Sequence, residues 1–181
     1  MGLKLGEKVP MNAGMRTFEK AKARPARVEE AAVLRTLIRA SFKDVVDKFK
    51  ITPHNWPAHP AFIETAIIRD QIGQGGQYYI LDIDQVPGGC VLIRFPAPRV
   101  WVMENLCILP RHRHQGLGAG LVGYVLNHAR HCGAQKISIV TIDHDWICQN
   151  WFRAMGFVEC GARRFEHIPF RLAFMTLDLA G

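Results

Sequence analysis

The segment from Arg113 to Gly120 has three glycines in its last five residues and leads into a stretch with helical periodicity. Leu117, Leu121 and Val125 fall on one face of that predicted helix. Small residues let a backbone approach a ligand closely, and the first turn of a helix has unpaired N–H groups and a positive dipole end. No Ser, Thr or Asp stands at the start to cap this helix. The segment therefore predicts a binding loop for phosphate oxygens.

Two common phosphate-binding motifs do not fit this loop. A Walker A loop requires Lys and then Ser or Thr after its last glycine, but Leu121 follows Gly120. A dinucleotide-binding fingerprint would use Gly116 and Gly118, with Asp143 at the end of a later strand. Its third glycine position is Leu121, and six residues separate the preceding predicted strand from Gly116. The loop therefore indicates another kind of anion site.

The loop instead resembles a motif of a known enzyme family. Residues 113–118 (RHQGLG) resemble motif A of the GNAT superfamily of N-acetyltransferases, Arg/Gln-x-x-Gly-x-Gly/Ala, and they follow a strand that ends at Pro110, as in that family. Residues 155–157 (MGF), after a short predicted helix, resemble the Gly-Phe of the family's motif B. The order of predicted elements between Ala23 and Leu179 also follows the family.

This resemblance implies an α/β (α+β) fold, in which a mixed, mostly antiparallel seven-stranded sheet with a V-shaped opening is flanked by about four helices. It also implies acetyl-CoA as the co-substrate. The pantetheine arm is expected to add like an extra strand to the backbone of Leu106, Cys107 and Ile108. The pyrophosphate is expected on Arg113, His114, Gln115, Gly116, Leu117, Gly118, Ala119 and Gly120. Asp145 and Phe152 occupy positions where the family commonly has Asn and Tyr, and we expect both beside the cofactor.

Glu104 is the candidate general base for such a reaction. Amide formation from a thioester requires that the acceptor amine lose a proton. In a regular strand, Glu104 would share a face with four apolar residues, Val100, Val102, Leu106 and Ile108. Burial among them would raise the pKa of the carboxyl group, and many members of the family have a glutamate here that draws a proton through water. Alternatively, Glu104 pairs with Arg94 or Arg99 across the sheet.

Two further positions bear on proton transfer. His144 follows the next predicted strand and has a suitable pKa for a base, although a solvated loop histidine is the other interpretation. Phe152 stands where the family commonly has a Tyr that protonates the thiolate, and Phe cannot donate a proton. The acid would then be water, Cys148 or a group of the acceptor. Because a coenzyme A thiolate leaves well, an acid is also dispensable.

Histidine pairs at 112/114 and 128/131 could suggest a metal site. No carboxylate or thiolate completes a tetrahedral set at local spacing, so no metal is predicted.

His54, Trp56 and His59 lie in a Pro-rich segment between the first two predicted helices. The resemblance makes this segment one wall of the acceptor site, whereas a rigid loop packed by Trp56 is the alternative.

Composition and charge narrow the class of protein. The chain has 181 residues, and no stretch approaches the ~20 apolar residues of a membrane span. The net charge of +7 comes from scattered Lys and Arg, without a basic helix or an aromatic RNA-binding signature, so we expect no nucleic-acid or membrane partner. The five cysteines form no Cys-x-x-Cys pair, which favours a reducing, cytoplasmic location.

Hydrophobic periodicity predicts the elements that position these residues. Helices are predicted at 29–42, 60–72, 118–131 and 146–155. Strands are predicted at 22–27, 77–82, 90–95, 100–109, 136–142, 157–165 and 170–179, with turns at 85–89 and 96–98. We expect residues 1–21 to form an arm or extension and residues 22–181 a single acetyltransferase domain.

Together, these features predict an N-acetyltransferase that moves an acetyl group from acetyl-CoA to a primary amine of a small molecule or peptide. The acetyl group would pass by direct attack in a ternary complex, and a homodimer is one possible assembly. Because of Phe152, a protein of the same fold that binds acyl-CoA without turnover is the alternative hypothesis.

Overall fold

A computed structural model describes residues 21–180. The predicted N-terminal arm therefore lies outside the described residues, except for Ala21, which begins the first strand. Strands occupy Ala21–Pro25 (β1), Gln77–Ile83 (β2), Val86–Ala97 (β3), Val100–Ile108 (β4), Lys136–Ile142 (β5), Val158–Arg164 (β6) and Arg171–Asp178 (β7). Helices occupy Ala31–Phe49 (α1), Thr65–Gly73 (α2), Leu117–His131 (α3) and Trp146–Arg153 (α4). None of the helices within 21–180 is long and apolar enough to cross a membrane.

Within residues 21–180, the strands form one seven-stranded sheet in the order β1-β2-β3-β4-β5-β7-β6. The β4–β5 pair is parallel, and the other neighbouring strands pair antiparallel. The predicted mixed, mostly antiparallel sheet with four helices is therefore confirmed.

The parallel pair at the centre of the sheet is short. β4 and β5 pair only at Val100–Lys136, Trp101–Ile137 and Val102–Ser138. Beyond that point, β4 continues to pair with β3 as far as Ile108, and β5 continues with β7 as far as Ile142. The two halves of the sheet therefore part beyond Val102, which gives the V-shaped opening that the resemblance implied.

A hydrophobic layer covers each face of the sheet. On one face, α3 contributes Leu121 and Val125, which are completely or almost completely buried with residues of β2, β3 and β4. On the other face, Leu34 and Ile38 of α1 and Ile68 of α2 are fully buried. Since the helices are amphipathic, their spacing alone selects these buried faces.

Two helix predictions were partly wrong. The predicted first helix ended at Phe42, but α1 continues to Phe49 because Val45, Val46 and Phe49 extend its apolar stripe onto a third cluster that includes Ile142. The predicted second helix, 60–72, consists of a single 3-10 turn at Pro60–Phe62 and the separate helix α2. Its interruption is the extended backbone at Ile63, where ψ is 136°.

The first predicted turn, 85–89, is also shorter than expected. The chain reverses at Asp84 and Gln85, whose φ angles are 49° and 67°, and β3 already includes Gly88 and Gly89. A Cβ atom on Gly88 would lie 2.4 Å from Ile83 Cδ1, and one on Gly89 would lie 2.6 Å from the Cys107 carbonyl oxygen. These glycines therefore allow neighbouring chain segments to approach closely in the sheet rather than forming the turn.

Candidate functional site

The predicted phosphate loop begins α3 without a side-chain cap. Gly116 is the N-cap residue in a left-handed conformation (φ 77°), and His114 is also left-handed (φ 59°). The Gly120 N–H donates the first helical hydrogen bond, 2.9 Å long, to the Gly116 carbonyl. The N–H groups of Leu117, Gly118 and Ala119 precede that bond, so they have no partner within the helix. The loop thus provides several free donors and a positive helix end for an anion.

Arg113 does not extend its side chain toward the helix start. Its guanidinium donates to the carbonyl oxygens of Ile108 (3.0 Å) and Ser41 (2.5 Å) and forms an ion pair with Asp44. Arg113 therefore ties the loop to the end of β4 and to the middle of α1. A contact between its side chain and a phosphate stays a prediction.

Basic and polar side chains surround the loop. Arg111, His114 and Gln115 are exposed, and the Gln115 amide donates to the Arg111 carbonyl at 3.3 Å. No acidic residue occurs between 110 and 120. An electropositive loop of this kind fits a diphosphate.

Trp151 adds a contact that the sequence analysis missed. A Cβ atom built on Gly118 would lie 3.4 Å from the Trp151 ring and 3.8 Å from Ile108 Cγ1. The Trp151 indole, on α4, therefore lies beside the first turn of α3. The residue remains 37% exposed. The sequence offered one indication of this contact, since Trp151 directly precedes Phe152, which the resemblance placed beside the cofactor.

A bulge in β4 changes the predicted face of Glu104. Trp101 and Met103 before the bulge and Ile108 after it are buried in the cluster under α3, and the partly buried Leu106 packs against that cluster. The alternation shifts at Asn105, which has a φ of 51°, where the register with β3 also shifts. Glu104 therefore shares a face with Val100 and Val102 but not with Leu106 and Ile108. The prediction from a regular strand was wrong for the latter two, because one extra residue moves the following side chains to the other face.

A hydrogen-bonded chain holds this bulge from the α1/α2 side. The Asn105 amide donates to the Tyr78 hydroxyl at 2.8 Å, and that hydroxyl donates to Gln71 Oε1 of α2 at 2.6 Å. Tyr78 is 2% exposed. Burial raises the pKa of its phenol, so Tyr78 stays protonated and keeps donating. Sequence reasoning did not identify Tyr78 or Gln71, since neither has a local motif.

Glu104 lies in an open pocket of about 470 Å³. Burial raises the pKa of its carboxyl group, and the positive charge of Arg94 opposes that change. Within the described chain, no salt bridge or hydrogen bond engages the Glu104 side chain, so the alternative interpretation, a pairing with Arg94 or Arg99, is not observed. The pocket is lined by Gln74, Gly75, Gly76, Arg94, Phe95, Pro96, Val102 and Glu104.

The end of β4 borders the V-shaped opening. Since the pairing with β5 stops at Val102, the backbone of Leu106, Cys107 and Ile108 is free of β5 on that edge. On the other edge, Cys107 pairs with Cys90, and the two buried sulfurs lie 3.4 Å apart. An extended ligand could therefore add along the open edge, as expected for a pantetheine arm.

Asp145 and Phe152 both have structural partners. Asp145 is the N-cap of α4, where its carboxylate accepts from the Cys148 N–H (3.4 Å) and pairs with Lys48 of α1 (2.9 Å). Phe152 is 6% exposed and packs edge-to-face on Phe157, with ring centroids 5.3 Å apart. Contacts of these two residues with a cofactor stay predictions.

Two other proton-transfer candidates are now better defined. His144 is exposed after β5, as in the solvated-loop interpretation. Burial raises the pKa of the Cys148 thiol to about 12, which makes it a weak acid.

Gln149, which the sequence analysis missed, is fully buried and donates to the carbonyls of Ile142 (3.2 Å) and Asp143 (2.8 Å), so it fixes α4 to the end of β5.

The histidine candidates have other contacts. His128 packs against Tyr79 and Trp101, with ring centroids 5.8 Å and 5.5 Å away. In the part of the chain that the structure covers, no three His, Cys, Asp or Glu side chains cluster as a metal site.

His59, in the Pro-rich segment, is 3% exposed and packs edge-to-face on Trp56, with ring centroids 4.8 Å apart, and burial lowers its pKa to about 4. This geometry matches the packed-loop interpretation of the Pro-rich segment.

Comparison with known proteins is consistent with this geometry. The family model for the acetyltransferase (GNAT) family matches residues 40–157. No curated protein matches the chain in sequence.

Solved structures share the fold at low sequence identity. The ribosomal-protein-S18-alanine N-acetyltransferase from Escherichia coli is 12% identical with a TM-score of 0.72, and the match covers 89% of this chain and 95% of that one. YncA from Salmonella typhimurium, solved with its cofactor acetyl-CoA, is 16% identical with a TM-score of 0.63 and coverages of 88% and 94%. Mutant forms of the spermidine/spermine N-acetyltransferase SpeG from Vibrio cholerae are 12% identical with a TM-score of 0.67 and coverages of 90% and 95%. The family model matches well over half of the chain, and the chain belongs to the acetyltransferase (GNAT) family.

Proposed function

We propose that this protein is an acetyl-CoA-dependent N-acetyltransferase that acetylates a primary amine of a small molecule or peptide by direct attack in a ternary complex. The observation that carries this proposal is the position of the uncapped start of α3 at the open end of the V between β4 and β5. Free N–H donors and an open strand edge lie together there, and Glu104 lies on the same strand near the closed end.

The loop and the strand edge have separate roles in this proposal. The N–H groups at the start of α3 hold the pyrophosphate, and Arg113 keeps that loop against β4 and α1. The backbone of Leu106–Ile108 aligns the pantetheine arm. When bound, acetyl-CoA supplies an activated acetyl thioester.

Glu104 is proposed to take the proton from the acceptor amine through a water molecule. Its raised pKa supports this role, because a carboxylate whose pKa lies closer to neutral is a stronger base. The buried Phe152 and the weakly acidic Cys148 leave the thiolate without an evident side-chain acid. The good leaving ability of the thiolate makes such an acid dispensable.

The test is thiol release from acetyl-CoA with a broad panel of primary amines, amino acids and peptides, with mass spectrometry of the acetylated product. We expect thiol release and an acetyl adduct in equal amounts with at least one acceptor class. If acetyl-CoA binds by calorimetry but no acceptor yields product, the enzymatic proposal is wrong.

That second result would favour a non-catalytic acyl-CoA-binding protein. The observation that favours this alternative is Phe152, which is packed into the core at a position where the family commonly has a tyrosine. In that case, Glu104→Gln would change neither the affinity for acetyl-CoA nor any rate.

A further inference from the structure

The pocket at Glu104 contains an acidic and a basic group, Glu104 and Arg94, that attract each other electrostatically but form no ion pair. Arg94 lies on β3 opposite Val102, and Leu92, two residues before it, lies opposite Glu104. Because side chains two residues apart share a face, Arg94 and Glu104 project from the same face of the sheet. Both line the pocket, yet they form no salt bridge with each other.

Arg94 is half-buried and is the cation of this pocket. Across residues 21–180, no side chain forms an ion pair or a hydrogen bond with its guanidinium. A guanidinium presents paired N–H donors that match a carboxylate, and a partly desolvated charge is stabilised when such a partner arrives. Its environment therefore favours an anionic group on the ligand.

The two charges also discriminate among amines. An acceptor with several positive charges is attracted by Glu104 but repelled by Arg94. The net charge of +7 on the chain adds to that repulsion. An acceptor that carries both an amine and a carboxylate matches both groups. The pocket has a volume of about 470 Å³, within the range of small-molecule sites of about 300–1,000 Å³.

We propose that the acceptor is a small amino-carboxylate of the amino-acid type, whose carboxylate binds Arg94 while its amine faces Glu104. This inference rests on the proposed function. Phe95, Pro96 and Val102 supply an apolar wall beside these two charges, so side chains of moderate size and low polarity fit the remaining space.

The experiment compares the L-amino acids with their C-terminal amides, which keep the amine and lose the carboxylate. Binding is measured by calorimetry with and without saturating coenzyme A, and kcat/KM is measured by thiol release. We expect the best amino acid to exceed its amide about 10- to 100-fold, because a hydrogen-bonded charge pair is lost in the amide. An amide that matches its parent acid, or the absence of binding by every amino acid, would overturn the inference.

Two variants locate the effect. Arg94→Gln should reduce the acid-to-amide ratio to near one, chiefly through KM, whereas Arg94→Lys should retain part of it. Arg69→Gln is the matched control, because it removes the same charge from an exposed position on α2. An unchanged ratio in Arg94→Gln would contradict the assignment. Turnover of amines regardless of a carboxylate would refute the inference and leave the proposed function intact, whereas no coenzyme A binding would refute both.

Discussion

At the scale of single residues, Glu104 shows how an environment selects a chemical role. The side chain is partly buried, faces a pocket and has no salt-bridge partner within the described chain. Its pKa is raised by burial, and Arg94 limits that increase. A carboxylate in this setting is better suited to act as a base than to form a structural ion pair.

Replacing Glu104 with Gln should lower kcat about 10²- to 10⁴-fold and leave the affinity for acetyl-CoA unchanged, because general base catalysis contributes about that much. In the wild type, the rate should rise with pH through the raised pKa of Glu104, and the variant should lose this acidic limb. Steady-state rates across pH test both statements. Glu29→Gln, at an exposed position, is the control; equal rates in the wild type and Glu104→Gln would exclude Glu104 as the base.

At the scale of elements, the important features are two irregular points, the bulge in β4 and the uncapped start of α3. Helix periodicity predicted α3 within one residue, because its buried stripe depends on local spacing alone. The bulge was not predictable in this way. A left-handed Asn105 gains its stability from Tyr78 on another strand and Gln71 on a helix, and these contacts are not local in sequence.

Tyr78→Phe tests the support of the bulge. The substitution removes the hydroxyl that accepts from Asn105 and donates to Gln71, so two partly buried polar groups lose a partner. We expect a loss of about 1–3 kcal/mol in the free energy of unfolding and a fall in kcat larger than the change in KM for acetyl-CoA. Urea denaturation and steady-state kinetics measure these effects. Tyr124→Phe is the comparison; if both variants behave alike, the hydroxyl chain does not support the bulge.

Ala119→Glu tests the start of α3 as an anion site. Ala119 is exposed in the first turn, where a carboxylate stabilises a helix but repels a diphosphate. We therefore expect unchanged or slightly higher thermal stability together with a drop of at least about 10-fold in coenzyme A affinity. Calorimetry measures the affinity, and Ala119→Gln separates charge from size. Wild-type affinity in the Glu variant would show that the diphosphate binds elsewhere.

At the scale of the whole molecule, α1 connects the two halves of the divided sheet. Its Ser41 and Asp44 hold Arg113, which in turn holds the end of β4, and its Lys48 pairs with Asp145 at the start of α4 beyond β5. The strand pairing between β4 and β5 is limited to three residue pairs. These polar contacts therefore link both sides of the opening.

Arg113→Gln should weaken this link. The carbonyls of Ile108 and Ser41 would lose a charged donor, so we expect a loss of about 1–3 kcal/mol in the free energy of unfolding. Coenzyme A affinity should fall as well, since the loop loses its anchor. Arg111→Gln in the same loop removes the same charge from an exposed position. Should both variants unfold at the same urea concentration, the anchoring role of Arg113 would be wrong.

Much of the fold could be predicted from the sequence, because periodic apolar residues mark strands and helices and the loop at 113–120 has a distinctive composition. The length of α1 and the break at Ile63 were missed, since both depend on packing against distant segments. The pocket was missed for the same reason. The sequence suggested Arg94 as a partner for Glu104, but in the structure both side chains line the pocket from one face of the sheet without forming an ion pair.

A crystal structure of the protein with bound coenzyme A would test the proposed cofactor site between β4 and β5. We predict diphosphate oxygens within hydrogen-bonding distance of the N–H groups at the start of α3 and the pantetheine arm along the backbone of Leu106–Ile108. Density for the ligand on another surface, with both the α3 start and the open edge of β4 free, would show that the proposed cofactor site is wrong.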